Sequence, residues 1–406
     1  VVSDFFSKED FLTLKNNPDL VYLDNAATTQ THRLVVDRMN EYYNHQRATT
    51  HRGSYPLSDR ATNDYENARR QVAELISADP SEIMFTTGAT QGLNFVAEWH
   101  KDIPVAIISE AEHTSNILPW MVAGRSIENG RLKVIPVKVY SDGSQRLDMD
   151  VARDILEKYP QSILSITTNS NVTGFNSEWE TLVSIARLHG TIICLDATQT
   201  IAHKKLDMSL RYRDQAPDWM VFSAHKMYGP TGVGALYHRH GFKNIRPLQF
   251  GGGQIDHLDF NKVIFKNSIE RVEPGTQNIA SVLGFGVAAE LINYVTYDEI
   301  RLIELDLYEC FISNKDIKSI VELDRLFSSR DVTNIFSFRS KLSPYDIATI
   351  LGSKNVAVRS GKLCAHPFSD LLSNNGLLRI SIAPYNTEQD IELLGSKLKE
   401  AVQLLK

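Results

Sequence analysis

Short apolar runs recur through the first two-thirds of the chain, and most stop abruptly at small and polar residues. Val21-Tyr22-Leu23 gives way to Asp24-Asn25-Ala26-Ala27-Thr28, and Ile83-Met84-Phe85 to Thr86-Thr87-Gly88-Ala89-Thr90. Val105–Ile108 runs into Ser109-Glu110-Ala111-Glu112-His113, and Ile163–Ile166 into Thr167-Thr168-Asn169-Ser170-Asn171. Ile192–Leu195 ends at Asp196, and Trp219–Phe222 at Ser223-Ala224-His225-Lys226. Helix-like stretches such as Gln91–Trp99 lie between them. Such alternation predicts an α/β fold around a mainly parallel sheet. The polar clusters then fall at strand ends, where open α/β sheets place their ligands. After about residue 284 longer helical stretches take over. The last of them, Thr387–Lys406, has Thr387 and Asp390 spaced as a capping box. It sets Ile391, Leu394, Leu398, Val402 and Leu405 on one face. The pattern predicts a large domain over 20–283, whose sheet begins at Val21, and a smaller α+β domain over 284–406. Residues 1–19 are expected to pack on the smaller domain.

Composition narrows the function classes. The 406 residues suit two or three domains at about 150 residues each. Lys and Arg total 43 against 49 Asp and Glu, a net charge of −6, so no nucleic-acid partner is expected. The longest apolar stretch, Val282–Val295, contains Glu290 and Asn293 and falls short of the roughly 18 residues of a membrane span. The segment Val1–Asp10 lacks the apolar centre of a secretory signal. Three cysteines, Cys194, Cys310 and Cys364, form no CxxC pair. This points to a reducing, cytoplasmic setting and to no metal centre. Neither a Walker A sequence nor a Gly-x-Gly-x-x-Gly turn marks a nucleotide site.

The strand ends carry the candidate chemistry. A lysine at the end of a buried strand either snorkels to solvent or, desolvated, becomes a nucleophilic amine able to form a Schiff base. Asp196 either caps the next helix or serves a ligand, since an unpaired buried charge is costly. The Thr87–Gly92 turn, with Ala89 and Thr90, opens a helix whose backbone N–H groups suit a phosphate. His113 is a core histidine or a plate against a flat ligand. Arg379, on the strand-like Leu377–Ile382, pairs with a buried acid or grips a carboxylate with its planar fork. One lysine, one strand-end aspartate, one phosphate turn and one arginine together describe a site for pyridoxal 5'-phosphate (PLP) and an amino acid.

The order of these motifs resembles one family along nearly the whole chain. Tyr22-Leu23-Asp24-Asn25-Ala26-Ala27-Thr28, His51-Arg52-Gly53, Glu112-His113, Ser170–Gly174, Asp196-Ala197-Thr198-Gln199, Ser223–Lys226, Gly251–Gly253, Glu273-Pro274-Gly275-Thr276 and Arg359–Ala365 contribute, as does Arg379. The chain is similar to the group II, SUF-type cysteine desulfurases and selenocysteine lyases of the class V aminotransferases, fold-type I PLP enzymes. The resemblance implies that Lys226 bonds the cofactor aldehyde and shuttles protons. It implies that His113 stacks on the ring, Asp196 pairs with the ring nitrogen and Gln199 with the phenolic oxygen. Thr90, Ser223 and His225 would hold the phosphate, with Thr276 entering from the partner subunit of a homodimer. Asn171 and Arg379 would bind L-cysteine, and Arg359 would stand at the mouth. Cys364, with Lys362, Arg359 and His366 as cationic neighbours in sequence, would accept the sulfur and pass it to an acceptor protein. Alternatives are another class V enzyme, such as a selenocysteine lyase, transaminase or related lyase, and a PLP-binding scaffold. Departures stand at Lys362-Leu363, before the cysteine, and at Thr114-Ser115-Asn116.

Overall fold

The computed structural model describes residues 5–51, 53–209, 215–326 and 335–406. A seven-stranded sheet forms its centre. The strands run in the order Ile83–Thr86, Gly234–His238, Trp219–Ser223, Ile192–Asp196, Ile163–Thr167, Ala106–Ser109 and Leu132–Ile135. All point the same way except Gly234–His238, which pairs antiparallel with both neighbours. The short apolar runs are thus strands buried on both faces. Their uninterrupted burial explains why they are continuously apolar rather than alternating.

Helix Ala89–Trp99 lies close over this sheet. At Gly92 a β-carbon would stand 2.7 Å from Val221 Cγ1, so the missing side chain lets the helix approach. The apolar stretch around Val282–Val295 belongs to helix Ile279–Val295, which is buried on nearly every side. No single helix among the described residues is long and apolar enough to cross a membrane.

The second unit is a four-stranded sheet, ordered Leu323–Arg325, Ile335–Ser340, Leu377–Ser381 and Arg359–Gly361. Helix Glu388–Leu404 packs on it, with the expected capping box at Thr387 and Asp390. Ile391, Leu394, Leu398 and Val402 are buried in its core.

Two expected boundaries differ. The Val21–Tyr22 strand does not open the large sheet; it pairs in parallel with Val356–Ala357 in the smaller unit. Three apolar residues mark a strand but not the sheet that receives it. Helix Ile279–Val295 runs unbroken through the expected 283/284 division, and its side chains join the core of the large sheet. The N-terminal segment touches both units. Phe6 and Phe11 pack in the large core against Tyr228, while Phe11 also meets Tyr385 and Lys8 bonds Asp390.

A buried ion pair ties the helix Pro56–Leu75 to the sheet edge. Arg69 meets Glu273 through two parallel bonds of 2.8 Å, and Glu273 also accepts from Phe85 N and Tyr65 Oη. Removing the carboxylate leaves the buried guanidinium only its side-on contact with Glu66 and the Ile83 carbonyl. Glu273→Ala should therefore lose about 3–5 kcal/mol, read as a lower denaturant midpoint. Adding Arg69→Met should recover much of that loss.

Candidate active site

The C-terminal ends of the parallel strands open into a cavity of about 200 Å³. Its wall gathers residues separated by up to 353 positions in sequence, from Ala26 to Arg379. Ala89, Thr90, His113, Asn171, Asp196, Gln199, Ser223, His225, Lys226, Arg359, Cys364 and Arg379 all line it, so twelve of the thirteen residues expected from the sequence meet there. Thr276 does not: it is exposed, beyond the cavity lining. Arg52 lies outside the described residues.

Lys226 closes a single helical turn directly after the Trp219–Ser223 strand. Burial, opposed mainly by the charge of Asp196, brings its amine down to about 8. A substantial neutral fraction exists near neutrality, as a nucleophilic lysine requires. Reductive methylation of Lys226 in the cofactor-free protein should rise tenfold per pH unit and level above about pH 8. An ordinary lysine keeps rising to about 10.4. Peptide mass spectrometry reads the rate at this one residue.

The neighbouring histidines are neutral. Burial, reinforced by the Lys226 charge, pushes His113 and His225 each to about 4. His113 Nδ1 accepts from Ser115 N at 3.1 Å, which fixes the ring. Fully buried Glu112 steadies this loop. Its carboxylate accepts from Ser109, Asn116 and the backbone of Thr167, while burial raises it to about 7.

The phosphate-like end of the cavity is built at the start of helix Ala89–Trp99. Ala89 N donates to Ser223 Oγ at 2.8 Å, and the Thr90 and Ser115 hydroxyls bond each other at 2.8 Å. Ser115 joins this group unforeseen, since its sequence neighbours give no sign that it faces a helix start. His225 Nδ1 lies 3.2 Å from Thr28 Oγ1. At the other side Asp196 Oδ1 accepts from Thr198 N, and Gln199 donates to Ala26 O.

Asp24, which the sequence reading left unassigned, pairs with two arginines of this wall, Arg379 at 3.0 Å and Arg359 at 3.4 Å. Arg379 is buried, and its Nη1 donates to Asn171 O. The acid-pairing reading of this arginine therefore holds, and the same side chain lines the cavity. The Tyr22–Thr28 motif was the available signal for Asp24, but its partners lie more than 330 positions away.

Cys364 is exposed at the cavity wall, on a turn that follows strand Arg359–Gly361. Leu363 and Cys364 both hold left-handed backbone, at φ 54° and 56°. Such conformations cost on the order of 1–3 kcal/mol each and persist where the surroundings over-determine them. They do here. Thr114 donates twice to Cys364 O, Asn171 Nδ2 to Leu363 O, and Ala365 N and Ser369 Oγ to Lys362 O. The Asn171 amide thus holds the cysteine turn as well as facing the cavity. Lys362, expected as a cationic neighbour of the thiol, is bound instead to Asp370 and to the carbonyls of Ser373 and Asn374.

These groups suit PLP. Two buried donors without a protein partner, Thr198 Oγ1 and Arg379 Nε, belong to residues of this wall. A buried amine, a strand-end carboxylate and a helix start ringed by hydroxyls supply the remaining contacts. Among the described residues no cluster of His, Cys, Asp and Glu has the form of a metal site.

Comparison with known proteins agrees with this arrangement. The profile of the class-V aminotransferases matches residues 21–394. A protein named probable cysteine desulfurase from Vibrio cholerae is 32% identical over 400 residues, covering 96% of this chain and 95% of its own. Another so named, from Staphylococcus epidermidis, is 34% identical over 95% of this chain and 92% of its own. The solved cysteine desulfurase of Thermococcus onnurineus superposes with a TM-score of 0.87 at 30% identity, covering 100% of this chain and 98% of its own. CsdA of Escherichia coli, also a cysteine desulfurase, gives 0.85 at 27%, with 98% of each chain covered. The fold is that of the fold-type I PLP enzymes, and the chain belongs to the class V aminotransferase family.

Proposed function

We propose that this protein is a PLP-dependent L-cysteine desulfurase, which converts L-cysteine to alanine and keeps the sulfur as a persulfide on Cys364. The observation that carries this reading is the placement of an exposed thiol on a braced turn, in the same wall as a buried amine and a buried arginine. A transaminase on this fold needs the amine and the arginine but no such thiol.

PLP, when bound, supplies an electron sink that loosens the bonds around the substrate α-carbon. Lys226 would hold its aldehyde, Asp196 its ring nitrogen and Gln199 its phenolic oxygen. The start of helix Ala89–Trp99 with Thr90, Ser223 and His225 would hold its phosphate. His113, neutral at working pH, covers the ring face without adding a competing charge. Arg379 binds the substrate carboxylate, with Arg359 at the mouth and Asp24 orienting both. Lys226 takes and returns protons at the substrate carbons. The Cys364 thiolate attacks the substrate sulfur, so one S–S bond forms as one C–S bond breaks. The balance is cysteine plus enzyme thiol to alanine plus enzyme persulfide, with no outside oxidant.

The finer placement is with the group II, SUF-type enzymes, working as a cytoplasmic homodimer that hands sulfur to an acceptor protein. The exposed loop bearing Thr276 then reaches into the cavity of the second subunit, and solution mass tests the dimer. A sulfide-and-alanine assay tests the function, run with and without candidate acceptors. Alanine equal to persulfide in the first turnover is expected. Pyruvate, or an amino group left on the cofactor, would point to another class V reaction.

A further inference from the structure

The turn that carries the thiol follows a strand of the smaller sheet, yet the large unit holds it on both sides of the Cys364 α-carbon. The peptide between Leu363 and Cys364 is held at its carbonyl by Asn171 Nδ2, at 2.7 Å. The peptide between Cys364 and Ala365 is held at its carbonyl by Thr114, which donates through its backbone N–H and through Oγ1, each at 2.7 Å. These two planes meet at the Cys364 α-carbon, and together they fix the direction of its Cα–Cβ bond. Leu363 and Cys364 are both left-handed, a conformation that a released turn would tend to leave.

Of the two braces, Thr114 is the one with no place in the cavity. Asn171 lines it, whereas Thr114 does not. Its footing is rigid. The single turn Thr114–Asn116 ends in wholly buried Asn116, which donates to Glu112 at 2.7 Å and accepts from Ser165 of strand Ile163–Thr167 at 2.6 Å. His113 before Thr114 and Ser115 after it both line the cavity wall. The Thr114 hydroxyl thus ties the cysteine turn to the large sheet, at a point between the histidine of the ring face and the serine beside the phosphate-like end.

We propose that Thr114 is the positioning residue of the thiol: its hydroxyl, as second donor to the Cys364 carbonyl, keeps Sγ directed at the cavity and so sets the rate of sulfur transfer. One donor leaves a carbonyl free to rock about that bond, whereas two donors arriving from different directions hold its plane. Attack on sulfur needs the thiolate at close range and in line with the bond that breaks, so a small displacement of the turn acts directly on the rate. Thr114 touches no reacting atom and acts only through Cys364. The inference rests on the desulfurase reading. In that step the thiolate forms one S–S bond as the C–S bond breaks, and the electron pair of the broken bond stays with the substrate carbon, which Lys226 then protonates.

The test separates the sulfur step from what precedes it. Holoenzymes of wild type, Thr114→Val and Thr114→Ser are compared. Valine keeps the shape and the backbone N–H but removes the hydroxyl, and serine keeps the hydroxyl. Persulfide formed on Cys364 in the first turnover is read by alkylation and peptide mass. The absorption of bound PLP, and its change on adding L-cysteine, report the cofactor and the binding of substrate before the thiol acts. Thr114→Val should form persulfide about tenfold more slowly, the scale of one hydrogen bond lost at a positioned nucleophile. Its absorption, and the L-cysteine concentration that half-saturates the spectral change, should stay within about twofold of wild type, as for a group that serves only the later step. Thr114→Ser should restore the persulfide rate. A wild-type rate in Thr114→Val, or a slow rate that serine does not restore, overturns the proposal. So does loss of the cofactor band or of the L-cysteine response in Thr114→Val, because the hydroxyl would then support the whole site rather than the thiol. Each of these outcomes leaves the desulfurase reading intact while wild type forms persulfide. Wild type that forms none overturns that reading and this inference with it.

Discussion

Cys364→Ala is expected to abolish the persulfide and to cut alanine formation from L-cysteine at least about a thousandfold, the scale seen when a sole nucleophile is removed. The cofactor site should survive. Cys364 contributes to it no hydrogen bond from its side chain; the Thr114 contacts go to its carbonyl, which alanine retains. The absorption of bound PLP and the spectral change on adding cysteine should therefore match wild type. Alanine also tolerates left-handed backbone no worse than cysteine, so the turn should hold. The decisive measurement is alanine released in one turnover, beside persulfide trapped by alkylation. Alanine at the wild-type rate from Cys364→Ala would end the desulfurase reading and leave a broader class V reaction in its place.

Lys226→Ala should be as damaging by a different route. Without the amine, no group in the wall can both bond the aldehyde and move protons at the substrate carbons, and turnover should fall by more than about a thousandfold. Borohydride reduction of wild-type holoenzyme should leave a pyridoxyl mass on the peptide carrying Lys226, and none in Lys226→Ala. Attachment to another lysine would sink the assignment. Unlike Cys364→Ala, this variant should fail to show the cofactor's internal absorption band, which separates the two roles by spectrum rather than by rate.

The contrast between these residues and those the sequence left unread has a physical cause. Lys226, Asp196 and the Thr87–Gly92 turn announce themselves because a charge or a glycine breaks an apolar run, and a strand end in an open α/β sheet is a predictable place. Asp24 breaks such a run too. Its meaning comes from Arg359 and Arg379, which arrive from the other end of the chain. Ser115 and Lys362 mark the same limit from opposite sides. One faces Thr90 across a gap that local pattern cannot reveal, and the other turns to Asp370 instead of the thiol. The Val21–Tyr22 strand read correctly as a strand and wrongly as part of the large sheet, since periodicity describes a strand's faces and not its neighbour. The Ile279–Val295 helix hid a boundary for a related reason: a helix apolar all round carries no stripe to say which core it enters.

The pairing of Val21–Tyr22 with Val356–Ala357, and of Asp24 with Arg379, also orders events during synthesis. The early segment leaves the ribosome long before the strands that receive it exist. At roughly 5–20 residues per second, Arg379 follows Lys226 by roughly 8–30 s. Through that interval the large sheet can assemble and present its amine, while the arginine wall and the cysteine turn are still unmade. A nascent chain that captured PLP early would hold a reactive cofactor with no means of choosing its amino acid. On the proposed role of Arg379, selectivity is therefore the last property the growing polypeptide acquires.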